Sequence, residues 1–261
     1  MTSIITTIVV FLLIFNNYSV AFANTRQPNN SRSNKPNTVK KDSPNRQRQT
    51  QSKQKPLDFS DTGRPGQQTA GESRGNCINT ERDLSAVIPA SHSGKTTSGH
   101  PRFWVYFPYT RQQINRIEFI IQNEAREDIW RSQIKRDGNE GYQSFSMPTT
   151  AAPLEVGQWY RWYVKVYCNS QLASAEYVQG WVRRVPLLSD IYLELQQESI
   201  PSHQIYSDRG IWYDAVDRLL ALYKSEPGNM SLEQDWQNLI KAKGVELDSL
   251  PQVGATYEAI E

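Results

Sequence analysis

Trp159-Tyr160-Arg161-Trp162-Tyr163-Val164-Lys165-Val166-Tyr167-Cys168, entered through Leu154-Glu155-Val156-Gly157-Gln158, decides the fold. Aromatic and β-branched residues dominate the run, as in strands. Side chains of a strand alternate with a period of two. Tyr160, Trp162, Val164, Val166 and Cys168 therefore share a face suited to a core. Trp159, Arg161, Tyr163, Lys165 and Tyr167 share the other face, where rings alternate with cations.

Further short alternating segments lie on both sides of this run. They are Leu84–Pro89, Phe103–Phe107, Ile117–Ile121, Ile129–Ile134, Tyr142–Met147 and Tyr177–Val185, separated by turn signals such as Arg136-Asp137-Gly138-Asn139. About seven short strands at this spacing predict an antiparallel β-sandwich over residues 58–185. A leucine, a glycine turn and a tyrosine entering a long strand also open the penultimate strand of many immunoglobulin-like and fibronectin-type sandwiches. There the tyrosine closes the preceding loop through a backbone hydrogen bond. By analogy Leu154, Gly157 and Tyr160 take these structural roles.

After Pro186 the period changes. Leu188, Ile191, Tyr192 and Leu195, then Trp212, Val216, Leu219, Leu220 and Tyr223, recur at helical spacing. Pro227-Gly228 stops the second set. Ser231, with Gln234 three residues on, is the expected cap of a last helix that carries Trp236, Leu239 and Ile240 and ends at Gly244. The fold class is thus α+β: a sandwich followed by a helical region over 186–250 packed on it, with a frayed tail over 251–261.

The N-terminus reads differently. Residues 4–15 form an apolar run too short for a membrane span and suited to the hydrophobic core of a signal peptide. Ala21-Phe22-Ala23 then gives the small-x-small cleavage pattern, so residues 1–23 read as a signal peptide. The first three residues lack the usual Lys or Arg, which leaves an uncleaved anchor as the alternative. No later segment is long and apolar enough to span a bilayer. Residues 24–57 carry nine Lys and Arg against the single Asp42 and almost nothing apolar. Such a segment buries too little surface to offset chain entropy and reads as a disordered basic linker.

The net charge of +2 conceals this asymmetry, since 24–57 is +8, 58–185 is +2 and 186–261 is −8. Export to a periplasmic or extracellular, oxidising compartment makes the two cysteines of the chain, Cys77 and Cys168, a disulfide pair.

Chemistry is sparse. Gly94-Lys95-Thr96 resembles the end of a phosphate-binding loop, but Pro89 stands where its first glycine belongs. With two Cys and three His, metal centres and cofactors are not expected. His92 and His100 sit in a Gly/Ser-rich loop, and His203 stands alone beside Pro201. Glu124 and Asp128 form an acid pair of the kind a cell-wall glycoside hydrolase uses, although a polar turn accounts for them equally. The basic linker has no interleaved aromatics for base stacking, which argues against nucleic acid.

Two readings of the ring-and-cation face remain open. It is either a sugar-binding surface, extended by Trp181 and Arg183 or by Trp104 and Arg102, or the place where the helical region buries its apolar stripes. The expectation is an exported, non-enzymatic, monomeric binding or adaptor protein. Its partner is an envelope protein docking on the helical region, or a polysaccharide on the Trp159–Tyr167 face.

Four separated motifs carry a family resemblance. They are Thr97-Ser98-Gly99-His100-Pro101-Arg102-Phe103-Trp104-Val105-Tyr106; Leu154-x-x-Gly157-x-x-Tyr160-x-Trp162 running into Cys168; Gly180-Trp181-Val182-x-Arg184-Val185; and Gly210-Ile211-Trp212-Tyr213-Asp214-Ala215. In this order the chain resembles the domain-of-unknown-function 928 family of exported cyanobacterial proteins, from about Gly63 to Gly244. The resemblance implies a secreted or periplasmic setting and brings no activity, cofactor or site residue.

Overall fold

A computed structural model describes residues 56–60, 77, 80–134, 140–168, 175–197, 199–253 and 257–259. The signal segment 1–23 and the basic linker through residue 55 lie outside the described residues. Leu57, the last linker position, packs against the core, and Phe59 of the following domain is buried.

The chain is α+β. Its strands are β1 (Ser85–Ala86), β2 (Ser93–Thr96), β3 (Phe103–Phe107), β4 (Arg116–Gln122), β5 (Asp128–Ile134), β6 (Gly141–Phe145), β7 (Trp159–Tyr167), β8 (Glu176–Arg184) and β9 (Tyr257–Ala259). They form a four-stranded sheet, β1-β3-β6-β9, and a five-stranded sheet, β2-β8-β7-β4-β5. The inner faces meet through aromatic rings. Phe103 of β3 lies 5.8 Å from Phe119 of β4 and 5.1 Å from Trp162 of β7, centroid to centroid. Phe145 of β6 lies 5.8 Å from Phe119. Side chains of this size, fully removed from water, each stabilise the fold by about 1.5–3 kcal/mol.

The sheets are not wholly antiparallel. β2 runs parallel to β8, with Ser93 opposite Trp181 and Lys95 opposite Arg183, and β9 runs parallel to β6. β2 lies inside the stretch expected to be a loop between His92 and His100. It has no hydrophobic alternation of its own; tertiary contacts hold it there. A Cβ on Gly94 would meet Tyr213 Cε2 at 3.0 Å and Trp212 Cβ at 3.1 Å, so only a glycine lets the strand approach the helix this closely.

Four helices follow: α1 (Ser189–Leu195), α2 (Ser202–Asp208), α3 (Trp212–Ser225) and α4 (Met230–Ile240). The start of α3 reaches between the sheets. Trp212 Nε1 donates to the Val87 carbonyl at 3.0 Å, and the Tyr213 ring stands edge-on to Phe103 at 5.1 Å. Trp162 Nε1 donates to the Tyr213 hydroxyl at 2.7 Å, which in turn donates to the Trp181 carbonyl at 2.9 Å. Asp214 pins the same turn to the end of β2 by accepting from the Thr97 N–H at 3.1 Å and hydroxyl at 2.6 Å.

Beyond this plug, α3 and α4 pack over the outside of the four-stranded sheet. Trp104 Nε1 donates to Asp217 at 3.2 Å, and the Tyr142 ring meets Trp236 at 5.5 Å. The apolar stripes of these helices are therefore buried on the four-stranded sheet, not on the Trp159–Tyr167 face, and Trp104 belongs to that helix interface.

Two boundary expectations are corrected. Asn229, not Ser231, caps α4, its side-chain oxygen accepting from the Ser231 and Leu232 N–H groups. That oxygen relieves two of the helix's orphan donors. The segment after Pro251 does not fray at once: Val253 is buried, and the Tyr142 hydroxyl donates to the Pro251 carbonyl at 2.5 Å.

Candidate functional site: the outer face of the five-stranded sheet

Leu154 is fully buried, Gly157 has φ +89°, and the Tyr160 hydroxyl accepts the Glu155 N–H at 3.0 Å. This corner sets the entry of β7. Cys77 and Cys168 are bonded, with Cα atoms 5.2 Å apart, which ties the far end of β7 to the segment preceding β1. With both ends held, the pairing of β7 with β4 and β8 fixes which side chains face outward.

Along β7 the outward residues are Trp159, Arg161, Tyr163, Lys165 and Tyr167. On β8 their partners are Arg183 opposite Trp159, Trp181 opposite Arg161, Gln179 opposite Tyr163 and Tyr177 opposite Lys165. On β4 they are Gln122 opposite Arg161, Ile120 opposite Tyr163, Glu118 opposite Lys165 and Arg116 opposite Tyr167.

The five sequence-selected residues do not play one role. Trp159 and Tyr167 are 9 % and 7 % exposed and serve as packing, whereas Arg161, Tyr163 and Lys165 are half-buried and reach the surface. The cause is the neighbours. Arg183 lies over the Trp159 ring at 5.9 Å and Arg116 over the Tyr167 ring at 4.2 Å. Arg161 stands over two rings, Tyr163 at 4.9 Å and Trp181 at 5.5 Å, and donates to Gln179. Lys165 Nζ is 5.9 Å from the Tyr163 centroid. A groove of about 430 Å³ is lined by Tyr163, Tyr177, Lys165, Tyr167, Ile120 and Arg131, the two tyrosine rings touching each other with centroids 6.4 Å apart. Burial pushes the Tyr163 phenol above its ordinary pKa, so the ring is neutral.

The carboxylates of the face gather on one side. Glu118 pairs with Arg116 at 3.1 Å and Arg131 at 3.2 Å, and accepts from the Tyr167 hydroxyl at 3.2 Å. Asp128 pairs with Arg131 at 2.8 Å, and the Gln122 amide and this guanidinium hold its carboxyl below the usual range. Asp128 is thus a poor proton donor. Glu124 lies in the β4–β5 turn, which the Asn123 N–H closes by donating to the Glu127 carbonyl at 3.0 Å, and Asp128 opens β5.

The histidines lie elsewhere. The backbone of His92 has φ +52° at the mouth of β2, and His100 Nε2 lies 2.9 Å from the Ala151 carbonyl. His203 is buried on α2 with Nε2 2.9 Å from Asp235 Oδ2, beside a cleft of about 490 Å³ between α2 and α4. Among the described residues no group of His, Cys, Asp and Glu is placed to hold a metal ion. No helix among them is long and apolar enough to cross a membrane. Leu188, which precedes α1, and Tyr192 and Leu193 on it are all more than half exposed.

Trp181 and Arg183 do extend the ring-and-cation face, as one sequence alternative had it. Tyr177, Gln179, Lys95 and Ile120 join it only through strand register, which no local pattern announces.

Two solved structures show limited likeness. The fn3 domain of human collagen alpha-1(XX) chain is 13 % identical, with a TM-score of 0.25, over 46 % of this chain and 93 % of that one. A Parabacteroides merdae beta-glucuronidase is 10 % identical, with a TM-score of 0.23, over 41 % of this chain and 13 % of that one. No curated protein matches the chain. The sequence profile of the Domain of Unknown Function (DUF928) matches residues 69–253, a span that takes in β1 to β8 and all four helices, and the chain belongs to that family.

Proposed function

We propose that this is an exported, non-enzymatic binding protein of the cell envelope, acting as a monomer, which takes polysaccharide on the outer face of its five-stranded sheet. The observation that carries the reading is the groove lined by Tyr163, Tyr177, Tyr167, Lys165 and Arg131, left uncovered by α3 and α4. The apolar C–H face of a sugar ring fits a flat aromatic side chain, while hydroxyls take the donors of Lys165 and Arg131 and the amide of Gln122. A shallow groove on a rigid sheet suits retention better than turnover. Export is supported by the signal-like residues 4–23 and by the Cys77–Cys168 bond.

The test is co-sedimentation of the oxidised protein with protein-free envelope polysaccharide. Tyr163→Ala is expected to lower retention at least several-fold with little change in melting temperature. Retention unchanged by Tyr163→Ala rules this surface out.

A second reading has its own observation. Leu188, just before α1, and Tyr192 and Leu193 on it expose an apolar strip, the kind of surface a protein partner covers. Under that reading Tyr192→Ser with Leu193→Ser abolishes partner capture and leaves polysaccharide retention intact.

A further inference from the structure

Charge on the outer sheet face is segregated. Toward β4 and β5, every carboxylate meets an arginine: Glu118 with Arg116 and Arg131, and Asp128 with Arg131. Toward β2, β8 and β7 lie Lys95, Arg183, Arg161 and Lys165; among the described residues none of these four has a carboxylate within ion-pair distance, and only Lys165 borders the acidic side, opposite Glu118 of β4 and near enough to act on Asp128. Arg183 donates to the Gly157 carbonyl and Arg161 to the Gln179 amide oxygen, both neutral acceptors. Ring faces hold three of these cations: Trp159 beneath Arg183, Tyr163 and Trp181 beside Arg161, and Tyr163 beside Lys165. Such contacts fix a cation's position without neutralising it.

We infer that this strip selects acidic polysaccharide, with carboxylate-bearing sugar units set against Arg161 and Lys165 and the pyranose rings lying along the Tyr163–Tyr177 groove. The inference rests on the polysaccharide reading above and deepens it. Spacing separates this ligand from nucleic acid. Strand geometry places Arg183 and Arg161 roughly 8 Å apart, one strand over and two residues along, and Arg161 and Lys165 about 13 Å apart along β7. Duplex DNA carries a charge about every 1.7 Å of its axis, so this sparse row would neutralise few of its phosphates. A chain with one carboxylate on every ring or every second ring is better matched, and it leaves ring surface between charges for the aromatic side chains. The charged strip continues to the sheet edge through Lys95, opposite Arg183, so the ligand is extended across strands rather than a single sugar.

The experiment is a binding titration of the oxidised full chain, followed by tryptophan fluorescence and by calorimetry. The probes are polygalacturonate, its fully methyl-esterified form, and inorganic polyphosphate of similar length. Polygalacturonate is expected to bind at least ten-fold more tightly than the ester and more tightly than polyphosphate, and to weaken as salt rises through 0.5 M. Arg161→Gln with Lys165→Gln should remove the preference for acid over ester while retaining residual binding to both. Lys165→Gln alone should reduce it several-fold and covers the case in which the double variant fails to fold. Equal affinity for acid and ester overturns the acidic selectivity and leaves the polysaccharide reading standing. No binding to either polymer overturns both. Polyphosphate binding as tight as polygalacturonate overturns the inference in favour of an unselective polyanion surface.

Discussion

Gly180 is the position where a single methyl group tests the packing most sharply. It lies on the inner face of β8, opposite Trp162. A Cβ added there would stand 2.3 Å from Ile88 Cδ1 and 2.9 Å from Trp162 Cε2 and Cζ2. The indole has little room to recoil. It is fully buried, lies against Phe103, and is held through Nε1 by the Tyr213 hydroxyl. The Ile88 methyl is the end of a side chain and yields more easily, but into a filled core. Overpacking of this kind costs about 1–3 kcal/mol. Replacing glycine by alanine returns about 0.4–1 kcal/mol through the unfolded chain. Gly180→Ala should therefore destabilise by about 1–2 kcal/mol, or roughly 2–8 °C in Tm for a domain of this size.

A double-mutant cycle identifies the cause. Ile88→Val removes the clashing methyl and by itself costs about 0.5–1.5 kcal/mol. If the methyl is the obstacle, the double variant is more stable than the sum of the single effects predicts, by about 1 kcal/mol. Urea unfolding monitored by tryptophan fluorescence measures all four proteins. Strict additivity, or a Gly180→Ala protein as stable as the parent, refutes the account.

Other positions give independent checks. Tyr160→Phe removes the acceptor of the Glu155 N–H and should cost about 1–2 kcal/mol, read as a lower urea midpoint with an unchanged m-value. Reducing Cys77–Cys168, which closes a loop over a sequence separation of 91, should cost about 4–5 kcal/mol on the chain-entropy model; a Tm insensitive to dithiothreitol would contradict that. Asn229→Ala should lower stability by about 1 kcal/mol through the lost cap of α4, whereas Ser231→Ala should change little. Burial raises the Asp214 carboxyl pKa above its ordinary value despite the hydrogen bonds from Thr96 and Thr97. The folded state therefore holds this proton more tightly than the unfolded chain. The stability it contributes is full below about pH 4, the ordinary Asp range, and is lost as pH rises through the raised folded value. Asp214→Asn should flatten that decline in a pH series of urea midpoints; parallel curves for the two proteins would exclude it.

Most strands were legible in the sequence because their alternation is carried by large residues. Phe103, Val105 and Phe107, or Tyr160, Trp162 and Val164, announce a face without help from the fold. β2 was not legible: Ser93-Gly94-Lys95-Thr96 has neither alternation nor bulk, and its place comes from Trp212 and Tyr213, more than a hundred residues later. α2 was missed because seven residues beginning at His203's neighbour show less than two helical turns of pattern. The cap of α4 was misplaced by two residues because Asn229 and Ser231 are both good caps, and only the backbone decides between them.

For the site, period two correctly separated core from outer face on β7. It gave no information on which outward ring would be covered. Trp159 and Tyr167 sank under Arg183 and Arg116, contributed by other strands, while Tyr163 remained at the surface. The destination of the helices was equally silent. An amphipathic stripe shows that something is buried, not against which of two sheets.

The bond from Cys77 to Cys168 also determines how the molecule carries tension. A pull applied between the segment before Cys77 and the C-terminal region passes through the sulfur bridge directly into the end of β7. The chain between the cysteines, which holds β1 to β7, is shunted out of the load path. About 300 Å of contour, taking roughly 3.3 Å for each of the 91 intervening steps, stays hidden however hard the chain is stretched. An oxidised molecule anchored by one end and loaded at the other can lengthen only through the chain before Cys77 and after Cys168, and a reductant would release the remainder in a single measurable step.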